Sequence, residues 1–237
     1  MFAKSVLDMD CRATAEAIEH SVREIVLKQL RRRGVVVGMS GGVDSSVVAA
    51  LCARALGPER VLGLLMPETD SADDSLRLGR LAAEQFGIRT EMVNIGPALE
   101  AMGCYRYRNE AIRRVFSQFG DDWKCKIVLP AIGDEVRFNL FSLVVESPDG
   151  EVLSAHMPLN AYLQVVAASN MKQRTRALTE YFHAEQLNYA VAGTPNRLEY
   201  DQGFFVKYGD GAADLKPIAH LYKTQVYALA VELGVPE

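Results

Sequence analysis

Six consecutive residues, Ser40-Gly41-Gly42-Val43-Asp44-Ser45, bring glycines, hydroxyls and a carboxylate into one short stretch, and Ser46 adds another hydroxyl. Glycines lack Cβ, so the backbone can turn sharply and approach a ligand closely. The chain beyond, Ser45-Ser46-Val47-Val48-Ala49-Ala50-Leu51, reads as a helix. Its first amides have no intrahelical partner and sit at the positive end of the dipole. The chain before, Val35-Val36-Val37, is β-branched and apolar on both faces, which suits a central parallel strand. A strand, a glycine turn and a helix N-terminus together make an anion site.

The residue types narrow the choice of anion. No Lys-Ser or Lys-Thr pair follows the glycines, so a Walker-type phosphate loop is absent, and so is the dinucleotide pattern G-x-G-x-x-G. Asp44 stands beside the glycines instead. A carboxylate next to bound phosphates repels them unless a cation lies between. Asp44 therefore points to Mg²⁺ held by a carboxylate and phosphate oxygens.

The elements that must position this loop follow from periodicity. Asp10 to Leu30 carries apolar residues at helical spacing, and Arg31-Arg32-Arg33-Gly34 closes that helix. The Arg triplet reads either as a water-exposed helix end or as a phosphate clamp. Val61 to Leu65 is a second strand, and a helix runs to about Phe86, where Gly87 stops it. Thr90 to Ile95 is a third strand and Tyr189 to Gly193 a fourth, inner one. Strands alternating with helices predict an α/β fold with a doubly wound, mostly parallel sheet and helices on both faces. Ligands in such sheets bind at the carboxyl ends of the strands. The loops at Ser40, Met66 and Thr194 all lie on that edge. Asp73 and Asp74 are expected to serve a helix N-terminus.

Ala98 to Phe119 reads as an Arg-rich helix. Ser147-Pro148-Asp149-Gly150, between Val136–Val145 and Glu151–Met157, predicts a hairpin, placed inside an insertion at 121–167 of a single 1–237 domain. The lone His156 is expected to be structural. Asn170-Met171-Lys172-Gln173-Arg174-Thr175-Arg176 opens a helix on which Asn170 and Arg174 share a face. Thr194-Pro195-Asn196 reads as an N-cap with Pro at the first helical position. A last helix runs from Thr224 until Gly234 and Pro236 stop it.

Five motifs carry a family resemblance, and one of them is the spacing Asn170-x-Lys172-x-Arg174-x-Arg176, either a solvated helix face or a likeness to the NAD synthase segment that contacts the dinucleotide. Ser40 to Ser45 resembles the SGGxDS loop of the N-type ATP pyrophosphatases. Gly193-Thr194-Pro195-Asn196-Arg197-Leu198-Glu199, the run Gly203 to Ile218, and Leu221-Tyr222-Lys223-Thr224-Gln225-Val226 resemble, in order and spacing, motifs of the NAD synthases within that group. The resemblance implies a Rossmann-like ATP-pyrophosphatase fold and an ammonia-dependent ligase. Such an enzyme transfers AMP from ATP to the carboxylate of nicotinic acid adenine dinucleotide (deamido-NAD), and ammonia then displaces AMP. It further implies that Ser40, Gly41, Gly42, Asp44, Ser45, Ser46, Met66, Thr194 and Lys223 bind ATP, and that Asp44 and Glu199 hold Mg²⁺. Asn170, Arg174, Lys207 and Asp210 would reach the dinucleotide, and Asp44, Lys223 and Asp210 would carry catalysis. A homodimer is implied likewise. The hairpin region departs from the family's usual shorter, helical connection.

Bulk properties agree with an ordinary α/β enzyme. The 237 residues are 49% hydrophobic and 24% charged, with net charge −4. That charge gives no reason to expect nucleic-acid binding. Cys11, Cys52, Cys104 and Cys125 form no C-x-x-C pair and are expected to be thiols in a cytoplasmic protein. No apolar run is long enough for a membrane span, and no signal-peptide pattern is present. The first strand begins near Val35, which leaves no room for a glutamine amidase domain; free ammonia or a separate amidase subunit is expected. Family members usually continue past the position of Glu237 with a segment that closes over the site. The chain as given is therefore expected to bind ATP but to turn over poorly. Two further readings stay open, a related pyrophosphatase adenylating another substrate and a non-catalytic nucleotide-binding paralogue.

Overall fold

The structure is a computed structural model that describes residues 4–71, 73–128 and 142–236. They divide into two compact units, residues 1–97 with 173–237, and residues 98–172.

In the first unit, β1 (Val35–Gly38), β2 (Val61–Leu65), β3 (Arg89–Met92) and β7 (Ala190–Val191) form a parallel sheet in the order β3-β2-β1-β7. The register pairs Val35 with Val61 on one side of β1 and with Ala190 on the other. The chain therefore leaves β1 toward β2 and returns on its opposite flank as β7, which makes the carboxyl end of β1 a topological switch point. The helix after β1, α2 (Val43–Leu56), is buried along almost its whole length. A helix apolar all round belongs inside the protein, and α2 lies in one core cluster with Val22 of α1 (Cys11–Arg23) and Leu229 of α8 (Lys223–Leu233).

Several sequence expectations shift by a turn, each for a local reason. Helix α2 begins at Val43 with Gly42 as its N-cap, so Asp44 sits in its first turn rather than ahead of it. Helix α1 continues through a π-helical stretch, Glu24–Gln29. It is Arg31, with φ of 54°, that turns the chain out, while Gly34 lies where a Cβ would overlap Arg60 O. Strand β3 stops at Met92, yet Val93 and Ile95 still donate to Leu65 O and Pro67 O at 2.9 and 3.0 Å. Between β2 and β3, α3 (Asp73–Gln85) opens at the expected acid pair. Strand β7 is an edge rather than an inner strand. The cap after it is Asn196, with Pro195 before the cap, and α7 (Arg197–Gln202) follows.

The second unit is antiparallel. β4 (Lys124–Val128), β5 (Ser142–Glu146) and β6 (Val152–His156) form a sheet in that order, and β5 and β6 are the predicted hairpin. Residues 136–141 of its first predicted strand lie outside the described residues. Gly150, at φ 85°, completes the turn, with its N–H on Ser147 O at 2.9 Å. Strand β4 was not anticipated. The single helix expected over 98–119 is two, α4 (Gly96–Ala101) and α5 (Cys104–Arg113), because Gly103 between them adopts φ of 76°. Helix α6 (Leu159–Leu187) starts well before Asn170 and is shared in sequence by both units. No helix among the described residues is long and apolar enough to cross a membrane.

The outer flank of β7, itself buried, is finished by residues 214 and 215, through backbone and side chain. Asp214 Oδ2 accepts the Val191 N–H at 2.8 Å, and Asp214 N and Leu215 N both donate to Val191 O, at 2.9 and 3.3 Å. Asp214→Ala should destabilise the protein by about 1–2 kcal/mol, the cost of leaving that amide unmatched. Urea denaturation of the variant against wild type measures it.

Candidate active site

The glycine loop folds as a self-braced turn. Gly41 adopts φ of 78°, and a Cβ there would lie 2.5 Å from Ser75 O. Only glycine meets both the dihedral and the close approach. The Ser45 and Ser46 hydroxyls donate to Gly42 O at 2.9 and 3.1 Å, Ser40 and Ser45 hydroxyls lie 3.1 Å apart, and Gly42 N–H donates to Ser40 Oγ at 3.3 Å. The turn therefore keeps its shape without a ligand.

Above α2's first turn, Asp44 is gripped from two other elements. Lys223 Nζ, in the first turn of α8, forms an ion pair with Asp44 Oδ2. Asn196 Nδ2, from the cap of α7, donates to Asp44 Oδ1 at 3.4 Å. Asn196 works at both ends, because its Oδ1 also accepts Leu198 N–H at 3.0 Å and Glu199 N–H at 3.4 Å. Glu199 Oε2 reciprocates by accepting the Asn196 N–H at 2.8 Å, a capping box. This box explains why Glu199 stands three residues after Asn196, and it aims that carboxylate toward Asp44.

A cavity of about 520 Å³ opens over these groups. Of the predicted residues, Ser40, Gly42, Asp44, Ser45, Met66, Thr194, Glu199 and Asp210 line it. Gly41 and Ser46 shape the loop behind it, and Lys223 joins through Asp44. Asp210 is held by its own loop, with Oδ1 accepting Val206 N–H at 2.7 Å. Arg174 and Lys207 are brought together outside the lining, Arg174 Nε donating to Lys207 O at 3.2 Å. Asn170 belongs to the second unit. A larger, mainly apolar cavity of about 1240 Å³ beside α1 shares only Lys223 with the predicted residues.

Sequence reasoning reached the floor of the cavity only in part, through the motif that ends at Arg176, and missed Glu180. Gln173, Arg176 and Glu180 of α6 all line it. Their spacing of three and four residues, which puts side chains on one helix face, was the available signal.

Burial dominates the electrostatics, and neighbouring carboxylates add to it. Burial raises Glu199 above its ordinary value, and the charges of Asp44 and Asp210 push the same way, against the Asn196 amide and Lys223. Burial lifts Glu180 to about 7, with Asp210 adding to the rise and Arg176 opposing it. Among the described residues no cluster of three or more His, Cys, Asp or Glu forms a metal site. Asp44 and Glu199 would supply a divalent cation with two protein carboxylates, and its other oxygens would come from phosphate or water, the habit of Mg²⁺.

The raised Glu180 carboxyl gives a pH prediction. Its folded value lies above its unfolded one, so the protonated form stabilises the fold at low pH. That stability is lost as pH rises from the unfolded value of 4.5 through about 7. Glu180→Gln escapes this loss. Its melting temperature should gain on wild type between pH 5 and pH 8, and a gap independent of pH would refute the assignment.

The sequence pattern of the NAD synthase family matches residues 14–118 and 146–237, passing over part of the antiparallel unit. The NH(3)-dependent NAD(+) synthetase of Mesorhizobium japonicum is 59% identical over 232 residues, which take in 98% of this chain and 73% of that protein. Its counterpart in Rhizobium meliloti is 54% identical over 237 residues, 100% of this chain and 71% of that one. The solved NH3-dependent NAD synthetase of Campylobacter jejuni superposes with a TM-score of 0.66 at 26% identity, over 96% of this chain and 75% of its own. Sequence, fold and the loop at the switch point agree: the chain belongs to the NAD synthase family.

Proposed function

We propose that the chain catalyses the ATP-dependent amidation of deamido-NAD to NAD with ammonia as nitrogen donor. The observation that carries this reading is the Asp44 grip. One carboxylate, fixed by Lys223 and Asn196 at the head of α2, stands beside Glu199 over a braced glycine loop.

A carboxylate is a poor acyl donor because its leaving group would be oxide. In the proposed reaction a carboxylate oxygen of deamido-NAD attacks the α-phosphorus of ATP, and the bond to the β-phosphate oxygen breaks. Pyrophosphate leaves with the electron pair. Ammonia then adds to the acyl carbon, loses a proton, and AMP departs as the amide forms. The amides of the Ser40–Gly42 turn and the α2 N-terminus would hold the pyrophosphate, with no reorganisation as charge builds on it. Lys223 adds a positive charge at the same place. The two carboxylates Asp44 and Glu199 fit Mg²⁺, which when bound with phosphate oxygens would neutralise charge on the departing pyrophosphate. Asp210, fixed by Val206, and Thr194 complete the cavity wall where the reacting groups meet. Positioning and charge stabilisation supply the rate, and no side chain becomes covalently modified.

The same reading makes the chain a cytoplasmic homodimer fed by free ammonia or by a separate amidase. Support comes from the relatives' NH(3)-dependent names and from cysteines that form no disulfide. Leu178 and Phe182, at 72% and 61% exposure on successive turns of α6, offer apolar surface for a second copy.

Deamido-NAD, ATP, Mg²⁺ and ammonium incubated with the protein should yield NAD and AMP together. AMP release without NAD, or turnover only with another carboxylate, would overturn the assignment of substrate. Asp44→Ala should lower NAD formation by about a hundredfold or more while the circular dichroism spectrum is kept. Unchanged turnover would remove Asp44 from the mechanism.

A further inference from the structure

The carboxyl of Glu180 has no part in the reaction described above, yet it lies in the floor of the same cavity. It is half-buried, and burial raises it to about 7, with Arg176 opposing the rise and Asp210 adding to it. The space it occupies exists because β1 ends in glycine. A Cβ on Gly38 would overlap Glu180 Oε1 and would lie 3.4 Å from Met66 Cε.

Its neighbours fix where along a nucleotide it stands. Asp210 acts electrostatically on both Glu199 and Glu180, whereas Asp44 and Lys223 act on Glu199 alone. Glu180 stands at the carboxyl end of β1, against Gly38, two residues before the glycine loop begins at Ser40. Leu64, Leu65 and Met66 make the cavity wall apolar at the carboxyl end of β2. In a nucleoside triphosphate the group between the phosphates and an apolar base is the sugar. A vicinal diol offers two donors to one carboxylate, and a carboxylate on a ribose hydroxyl is a recurrent arrangement in α/β nucleotide sites.

We infer that Glu180 is the sugar-recognition residue of this site: it accepts hydrogen bonds from the ribose hydroxyls of ATP and makes the enzyme discriminate against deoxynucleotides. The inference rests on the ATP-dependent reading above. A buried acceptor left unmatched by a deoxy sugar costs far more than the mere absence of a contact, which is what turns a hydrogen bond into selectivity.

Titration calorimetry with the whole chain and Mg²⁺ tests it with three probes, ATP, 2′-deoxy-ATP and 3′-deoxy-ATP. Wild type should bind ATP at least about tenfold more tightly than one of the deoxy analogues. Glu180→Ala should bind all three alike, near the wild-type affinity for the weaker analogue, and leave the KM for deamido-NAD in place. Glu180→Gln keeps the shape of the site and guards against misfolding; it too should lose at least about threefold of the preference, since its acceptor is uncharged. Variants that discriminate as wild type does, or a change in KM for deamido-NAD with ATP binding untouched, would overturn the inference. Because binding is read directly, a wild type that selects ATP but makes no NAD would refute the amidation reading and leave this one standing.

Discussion

One ion pair, closing a long loop of chain, ties the glycine loop's helix to a distant helix at the site. Asp44 belongs to the helix after the first strand, and Lys223 to the last helix of the chain, 179 residues later. Between them come the whole antiparallel unit and most of the parallel sheet. A pair of this kind, partly out of water, is costly to leave half-made, because a lone charge there loses its solvation without compensation. It thus couples the position of the glycine loop to correct folding of the carboxyl-terminal segment. Asn196 strengthens the coupling by tying the cap of a third helix to the same carboxylate.

The second organising fact is a surplus of negative charge. Asp44, Glu199, Asp210 and Glu180 line one cavity, with Arg176 in the lining and Lys223 on Asp44. The upward shifts at Glu199 and Glu180 come first from burial, and the neighbouring carboxylates add to them. The surplus makes sense if cations and hydroxyl donors arrive with the substrates. On the proposed reading, Mg²⁺ arriving with a nucleotide would offset that charge better than the nucleotide alone.

How far the sequence could be read differed by element. The glycine loop, the strands around it and the three downstream motifs were legible, because each rests on a local rule that tertiary context rarely overrides. Asp44, Glu199 and Lys223 were identified by pattern, but their meeting through Asn196 was not, since a contact across many intervening residues has no local signature. Glu180 was missed because α6 is one long helix whose charges were read only in its middle. The helix break at Gly103 passed unnoticed because a glycine inside a periodic apolar pattern looks tolerable until its φ is seen. Strand β4 was hidden for a different reason, as its alternation is weak and its partner strand comes after a long connection.

The finish on β7 bears on how this protein behaves at high concentration. Sheet edges are templates for further strands, and an open one invites copies of the chain to pair indefinitely. Here β7 is two residues long, and its outward amide is already taken by a carboxylate from its own chain. The opposite edge, β3, carries the charged residues Arg89 and Glu91, both exposed. Among the described residues the parallel sheet is therefore closed at one margin by the 214–215 segment, with Leu215 bridging Ala192 and the Asp214 carboxylate on the Val191 amide, and guarded at the other by charge. Assembly of copies is left to side-chain surfaces, which can saturate, and fibre-like stacking through the backbone is discouraged.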